Sequence, residues 1–293
     1  MRVKRIFQIG VSAVAFVLGA LPVSAQHQKP NIYTYEVADF GLKPNSSKNA
    51  SPVLQRLLKK IKAERSGQDS IVIRFGKGTY QFHEKGAAMR EYYISNHDQT
   101  NPKLVGIPLE DMNHLALEGE GAEFVFHGQM LPVSLLRSSN CTLRNFSIDF
   151  ANPHISQVTV STCTSDGKVI VEPAPWVEYR ITKDSLFEVY GEGWSYRHNF
   201  GIAFEEKTKR LVYNSSDCWL PTKGAYRVGE NRICMPGWKG SYLTPGTRVV
   251  LRGWERPAPG IFLSHNLNTS FENVTVHYAE GMGLLAQLCE NIT

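Results

Sequence analysis

Leu135-Leu136-Arg137-Ser138-Ser139-Asn140-Cys141-Thr142-Leu143-Arg144-Asn145-Phe146-Ser147-Ile148-Asp149-Phe150-Ala151 falls into line with a later stretch when Asn145 is placed over Asn273. That stretch is Leu263-Ser264-His265-Asn266-Leu267-Asn268-Thr269-Ser270-Phe271-Glu272-Asn273-Val274-Thr275-Val276-His277-Tyr278-Ala279. Both read Asn-x-Ser/Thr-apolar-x-Asn-apolar-Ser/Thr-apolar-x-aromatic-Ala. A weaker copy lies earlier, at Leu115-Ala116-Leu117-Glu118-Gly119-Glu120-Gly121 followed by Phe124-Val125-Phe126, and a further one begins at Asn291-Ile292-Thr293. The steps are roughly 23 residues from Asn268 to Asn291 and roughly 26 from Gly119 to Asn145, the periods of a solenoid. Apolar residues at alternate positions point inward from short strands. The asparagines fall at the bends, where their side-chain amides can bond to the same residue one coil away. The Asn-x-Ser/Thr triplets at Asn140, Asn145, Asn268, Asn273 and Asn291 are thereby accounted for without glycosylation. The expected fold is mainly β, a right-handed parallel β-helix.

Working outward, Tyr33 to Gly41 reads as a short strand closing on a turn. A helix follows, with Val53, Leu54, Leu57, Leu58 and Ile61 on one face, Ser51 as N-cap and Pro52 at the first helical position. Ile71–Phe75 and Gly78–Phe82 are two further strands. The order Asp39-Phe40-Gly41, helix, strand, Gly78-Thr79-Tyr80 resembles the N-terminal cap of pectin-degrading β-helix proteins. Between the two good repeats, His154 to Pro259 breaks the period and is long enough for a small inserted domain. Gln157–Ser161, the turn Ser165-Asp166-Gly167 and Val169–Val171 form a hairpin. Phe187–Tyr190, Leu211–Tyr213 and Arg248–Leu251 add strands, and a small antiparallel β-barrel or sandwich is expected.

The chain of 293 residues begins with a basic start (Arg2, Lys4, Arg5), an apolar run from Ile6 to Leu21 and the small residues Val23-Ser24-Ala25. This is the grammar of a signal peptide cleaved near Ala25, and the run is too short and too glycine-rich for a membrane span. The expected domains are therefore 1–25 signal peptide, 26–153 cap and first coils, 154–259 inserted domain, and 260–293 further coils. Losing the three basic residues takes the formal net charge from +5 to +2. Near-neutrality without a basic, aromatic-interleaved patch speaks against nucleic acid and for a neutral ligand such as a sugar. Five cysteines, Cys141, Cys163, Cys218, Cys234 and Cys289, leave at least one without an intrachain partner. None has zinc spacing, and burial as small hydrophobes is their expected role.

Several stretches resemble glycoside hydrolase family 110, the bacterial α-1,3-galactosidases. They are Tyr92-Tyr93-Ile94-Ser95-Asn96-His97-Asp98-Gln99, Gly119-Glu120-Gly121-Ala122-Glu123-Phe124, Phe126-His127-Gly128, Asn145 to Phe150, Pro153-His154-Ile155-Ser156-Gln157, and Val276 to Gln287 with its His-x-x-x-Gly-Met-Gly run. The resemblance implies an exo-acting hydrolase of terminal α-1,3-linked galactose, including the blood group B determinant, working with inversion and without metal or organic cofactor. It implies a β-helix joined to β-barrel domains, and α-galactosyl glycans as partners. It also implies catalytic aspartates, among them an Asp-Asp pair, in coils following the His-x-x-x-Gly-Met-Gly run. No Asp-Asp pair occurs in this sequence, so no catalytic residue is assigned; they are expected beyond Thr293, which would make this chain an inactive front portion ending within a coil.

The candidates for substrate contact are Asp149, His277, Glu280, Asn96, His97 and Asp98. Asp149 and His277 share one repeat position between inward apolar neighbours, so both face outward, either into a cleft or to solvent. Glu280 precedes the Gly-Met-Gly bend and lines a site or is solvated there. Asn96, His97 and Asp98 either hold sugar hydroxyls or form an Asx-type turn. His127 is expected to end a strand. Trp176, Trp194, Trp219, Trp238 and Trp254 supply core or a sugar-stacking surface. Two other functions fit the same architecture. A pectin-degrading enzyme would need a basic or calcium-binding cleft, and a non-catalytic carbohydrate-binding surface protein would need no carboxylate pair.

Overall fold

The repeat read from the sequence is a strand register. Ile261–Ser264 runs parallel beside Leu131–Leu136, and Leu267–Val276 beside Ser139–Phe150, pairing Leu263 with Leu135, Thr269 with Cys141 and Val276 with Ile148. The computed structural model describes residues 31–65, 68–215 and 217–293; the signal peptide expected over Met1–Ala25 lies outside them.

Two sheets carry these registers. In the first, Ile32–Glu36, Ser70–Arg74, Leu115–His127, Ser139–Phe150, Leu267–Val276 and Glu290–Ile292 lie side by side, all parallel. Gly78–His83 also pairs along Leu115–His127, and Ser46–Asn49 along Gly78–His83. In the second, Lys103–Glu110, Leu131–Leu136, Ile261–Ser264 and Leu284–Gln287 are parallel, and Ala88–Arg90 adds an antiparallel edge. Alternation of buried and half-buried residues along Ser139–Phe150 sends Cys141, Leu143, Phe146, Ile148 and Phe150 inward. There they meet Phe75, Tyr80, Phe82, Phe124 and Phe126 in one core. Phe82 stacks on Phe126 at 4.9 Å between centroids and Phe124 on Phe146 at 5.0 Å, so rings of like position pack from strand to strand.

The bends are held by side chains. Asn291 donates to Asn268, Asn268 to Asn140 and Asn140 to Asn113, at 2.9, 3.0 and 3.0 Å. A second row runs from Asn273 to Asn145 at 3.1 Å and from Asn145 to Glu118 at 3.0 Å. Asn140, Asn145, Asn268, Asn273 and Asn291 all have φ between 51° and 60°, a left-handed conformation that asparagine tolerates better than most residues. In the earlier, weaker copy Gly119 occupies the position beside Asn145. A Cβ there would sit 2.4 Å from the Asn145 carbonyl oxygen, so that strand cannot carry an asparagine at the same place.

The helix Ser51–Glu64 buries Val53, Leu54, Leu57, Leu58 and Ile61 against this core. Its start differs from expectation. Ser51 is already helical and donates its hydroxyl to the His83 carbonyl at 2.8 Å, and Pro52 is the second helical residue. The capping acceptor is the Asn49 side chain, whose Oδ1 takes the N–H of Ser51 at 2.9 Å and that of His83 at 3.2 Å. Asn49 and Ser51 both tie the helix start to His83, one by accepting its N–H and the other by donating to its carbonyl.

From Ser156 to Arg252 the pairing turns antiparallel. Seven strands follow the order Cys218–Trp219, Phe200–Phe204, Arg248–Arg252, Ser156–Cys163, Val169–Pro173, Arg232–Met235, Tyr226–Gly229, and Tyr179–Ile181, Phe187–Tyr190 and Ser195–Tyr196 make a smaller sheet. The hairpin read around Ser165-Asp166-Gly167 is present, with Val160 opposite Val171. Leu211–Tyr213 is not a strand: Leu211 makes one isolated bridge to Phe204, and Tyr213 is exposed. A second core gathers Val160, Val171, Phe187, Trp238, Val249 and Leu251. Trp194 and Trp238 are core residues, whereas Trp176, Trp219 and Trp254 are exposed. Cys141 and Cys234 are buried as expected; Cys163 is exposed, and none of the five cysteines forms a disulfide. His127 is the last residue of its strand.

Candidate functional site

A cavity of about 330 Å³ opens where the loop after Ile94, the start of Leu131–Leu136 and the last turn of the antiparallel region meet. That is the size of small-ligand sites. Its walls include Glu84, Asp98, Lys103, Gln129, Tyr196, Glu255 and Glu280.

The His-x-x-x-Gly-Met-Gly run builds one wall. His97 Nδ1 meets the Ser95 carbonyl at 2.9 Å, and its Nε2 accepts the Met282 N–H at 3.2 Å. Both contacts are met by a neutral ring protonated on Nδ1, and burial pulls the His97 pKa down in agreement. A Cβ on Gly281 would sit 2.3 Å from His97 Nε2, so the glycine is what lets the ring brace the bend. Arg256 fixes the same loop: its N–H donates to Asp98 Oδ2 at 3.0 Å and its guanidinium to Asn96 Oδ1 at 3.1 Å. Lys103, buried, gives N–H groups to the carbonyls of Asp98 at 2.6 Å and Pro257 at 2.8 Å. Burial lowers its pKa, opposed by Asp98 and Glu280.

Glu280 is the buried acid of the cavity, at 5 % exposure. Oε1 accepts the Met130 N–H at 3.0 Å, and Oε2 has no hydrogen-bond partner among the described residues. Burial pushes its pKa well above the usual carboxylate range; the Met130 N–H and Lys103 pull it down, and Glu84 and Asp98 reinforce the rise. His154 Nε2 lies 3.3 Å from Oε1 without hydrogen-bonding geometry, and neither ring nitrogen finds a partner. The His154 ring packs between Phe150 and Trp194, and burial drops its pKa to about 3. Burial thus disfavours the charged form of two titratable groups that stand side by side at the edge of a polar cavity, with polar atoms left without a partner among the described residues.

Of the six residues singled out in the sequence, Glu280 and Asp98 line this cavity. His97 and Asn96 stand behind it as braces. Asp149 and His277 do not line it. They are neighbours in register, with the His277 N–H donating to the Ile148 carbonyl at 2.9 Å; Asp149 Oδ1 accepts its neighbour Phe150's N–H, and His277 is exposed. Near them Tyr278 faces Trp176 at 6.0 Å. Sequence reasoning missed Glu84, Lys103, Gln129, Tyr196 and Glu255. They come from five separate segments with no common spacing, and only His154, inside the stretch Pro153–Gln157, carried a signal.

Residues 156–249 match the family model for the GLAA-B beta-barrel domain I. The chain is 63% identical over 285 residues to an alpha-1,3-galactosidase B of Phocaeicola vulgatus, covering 97% of this chain and 47% of that protein. It is 61% identical over 259 residues to an alpha-1,3-galactosidase B of Bacteroides fragilis, covering 88% and 44%. It is 50% identical over 262 residues to one of Parabacteroides distasonis, covering 89% and 43%. The chain spans about half the length of the curated relatives it matches. Over that span, it belongs to the α-1,3-galactosidase family, glycoside hydrolase family 110.

Proposed function

We propose that this chain is the front portion of an exported exo-α-1,3-galactosidase, which removes terminal α-1,3-linked galactose from glycans with inversion. The observation that carries the reading is the 50–63% identity to proteins named alpha-1,3-galactosidase B over most of this chain. The two parallel sheets, their common register and the asparagine rows support a parallel β-helix as the scaffold. The cavity supports a sugar subsite. Its rim carries the carboxylates Glu84, Asp98 and Glu255, and its lysine is engaged by two carbonyls, so it offers hydroxyl acceptors more than anion donors. A polyuronate would meet repulsion on that rim, which disfavours the pectin-degrading reading. The matching proteins are about twice as long as this chain. An inverting pair set about 6.5–9.5 Å apart is proposed to lie on coils C-terminal to Thr293.

The test is release of galactose from an α-1,3-galactosyl disaccharide, by residues 1–293 and by a polypeptide continued through further coils. Release of β-galactose by the longer polypeptide alone is the outcome expected. Absence of release from both, with folded protein, overturns the enzymatic reading and leaves a carbohydrate-binding β-helix. Export is tested by sequencing the N-terminus of the mature protein, with cleavage expected near Ala25.

A further inference from the structure

We propose that the Glu280 side chain determines specificity in the cavity, meeting a hydroxyl of a neutral sugar ring with its unpartnered Oε2 and discriminating against the corresponding uronate. The inference rests on reading the cavity as a galactoside subsite and names the group that selects the ligand there.

Three observations carry it. First, the carboxyl is held in place: Oε1 is engaged by the Met130 N–H, and Glu280 leads directly into the bend that His97 braces through Gly281. Second, the other oxygen is buried, has no partner, and belongs to a side chain of 1 % exposure that lines the cavity. A polar atom in that position is costly until a ligand meets it, by about 1–3 kcal/mol for a typical buried group. Third, the groups facing it are unfavourable to a further anion. Glu84 comes from the end of one strand, Asp98 from the braced loop, and Tyr196 and Glu255 from the antiparallel region. His154 beside it is neutral, and Lys103 gives two of its N–H groups to carbonyls. In its neutral form the Glu280 carboxyl both donates and accepts, matching a hydroxyl, which does the same. A ligand carboxylate would add charge next to Glu84, Asp98 and Glu255, and the cation among the lining residues, Lys103, already gives two of its three N–H groups to carbonyls.

The experiment is titration calorimetry of the 293-residue chain with methyl α-galactoside and with methyl α-galacturonide, from pH 5 upward. Glu280→Gln and Glu280→Leu are measured beside it, and the Glu280 carboxyl is followed by ¹³C resonance. The galactoside is expected to bind at least about tenfold tighter than the uronide. Its affinity should fall as the Glu280 resonance titrates. Glu280→Gln keeps an N–H donor, so it should bind within a few-fold and lose that pH dependence. Glu280→Leu should lose about 10- to 100-fold. Galactoside binding that is equally strong in Glu280→Leu, or a uronide that binds as well as the galactoside, overturns the role of Glu280 alone. Binding of neither sugar at any pH overturns the subsite reading and this inference together. Should Glu280→Leu not fold, the two ligands on the natural chain and the Glu280→Gln profile decide the matter.

Discussion

Glu280, His154 and His198 are buried and titratable, and burial moves each toward its neutral form. His198 is fully buried, with Nδ1 2.8 Å from the Ser156 hydroxyl and Nε2 unpartnered. Both histidines fall to about 3 from 6.5, so their contribution to stability is complete above pH 6.5 and is lost as pH drops toward 3. Glu110 and Glu118 act in the same direction. Burial alone would raise them, but Arg90 and Tyr92 on Glu110, and the Glu120 N–H, Asn145 and Arg144 on Glu118, outweigh it and lower them. Glu280 has the opposite sign: its contribution is complete below 4.5 and is lost as pH rises through its elevated pKa. Each proton is worth about 1.4 kcal/mol per pH unit. Urea denaturation is expected to show stability falling as pH drops below 6.5 and the two histidines charge, with Glu280 opposing that slope from pH 4.5 up to its elevated pKa. Glu280→Gln should remove the opposing contribution and make the rise of stability with pH steeper over that window. An acid limb no steeper in the natural chain than in His198→Asn would contradict the assignment of a buried neutral His198.

Asparagine rows are the elements that tie one parallel strand to the next. Asn268 accepts from Asn291 and donates to Asn140 while holding φ at 56°. Asn268→Gly removes the amide but keeps the conformation, at an expected cost of about 1 kcal/mol; Asn268→Ala also strains the backbone and should cost about 1–2 kcal/mol more. Denaturant midpoints that rank the two variants the other way would remove the left-handed bend from the explanation. At the braced bend, Gly281→Ala drives a methyl into His97, and weaker galactoside binding with modest loss of stability is the outcome expected. These elements were legible in the sequence because they obey a local grammar. Placing Asn145 over Asn273 fixed the register of two sheets, and alternation fixed which residues face the core. The helix start was less legible, since the Asn49 oxygen that caps Ser51 also takes the N–H of His83, far along the chain. Leu211–Tyr213 had strand composition but found only a single bridge.

At the scale of the whole molecule, the antiparallel region interrupts a parallel stack and sends Tyr196 and Glu255 back to the cavity beside Glu280. Such a convergence has no sequence spacing, which is why only Asp98 and Glu280 of its walls were foreseen. The shared position of Asp149 and His277 was legible, but it leads to a face that does not join the cavity. Under the proposed function, two surfaces are candidates for the glycan: the cavity around Glu280, and the outer face with Asp149, His277, Tyr278 and Trp176. Asp149→Asn and His277→Ala should therefore leave galactoside affinity within about twofold by calorimetry, the small change usual away from a binding site. The most direct measurement is a crystal structure of the chain soaked with methyl α-galactoside. A galactose ring in the cavity, with a hydroxyl at Glu280 Oε2 and the Asp98 loop unmoved, is the result expected; a ring on the Asp149–His277 face, with the cavity unchanged, would contradict it.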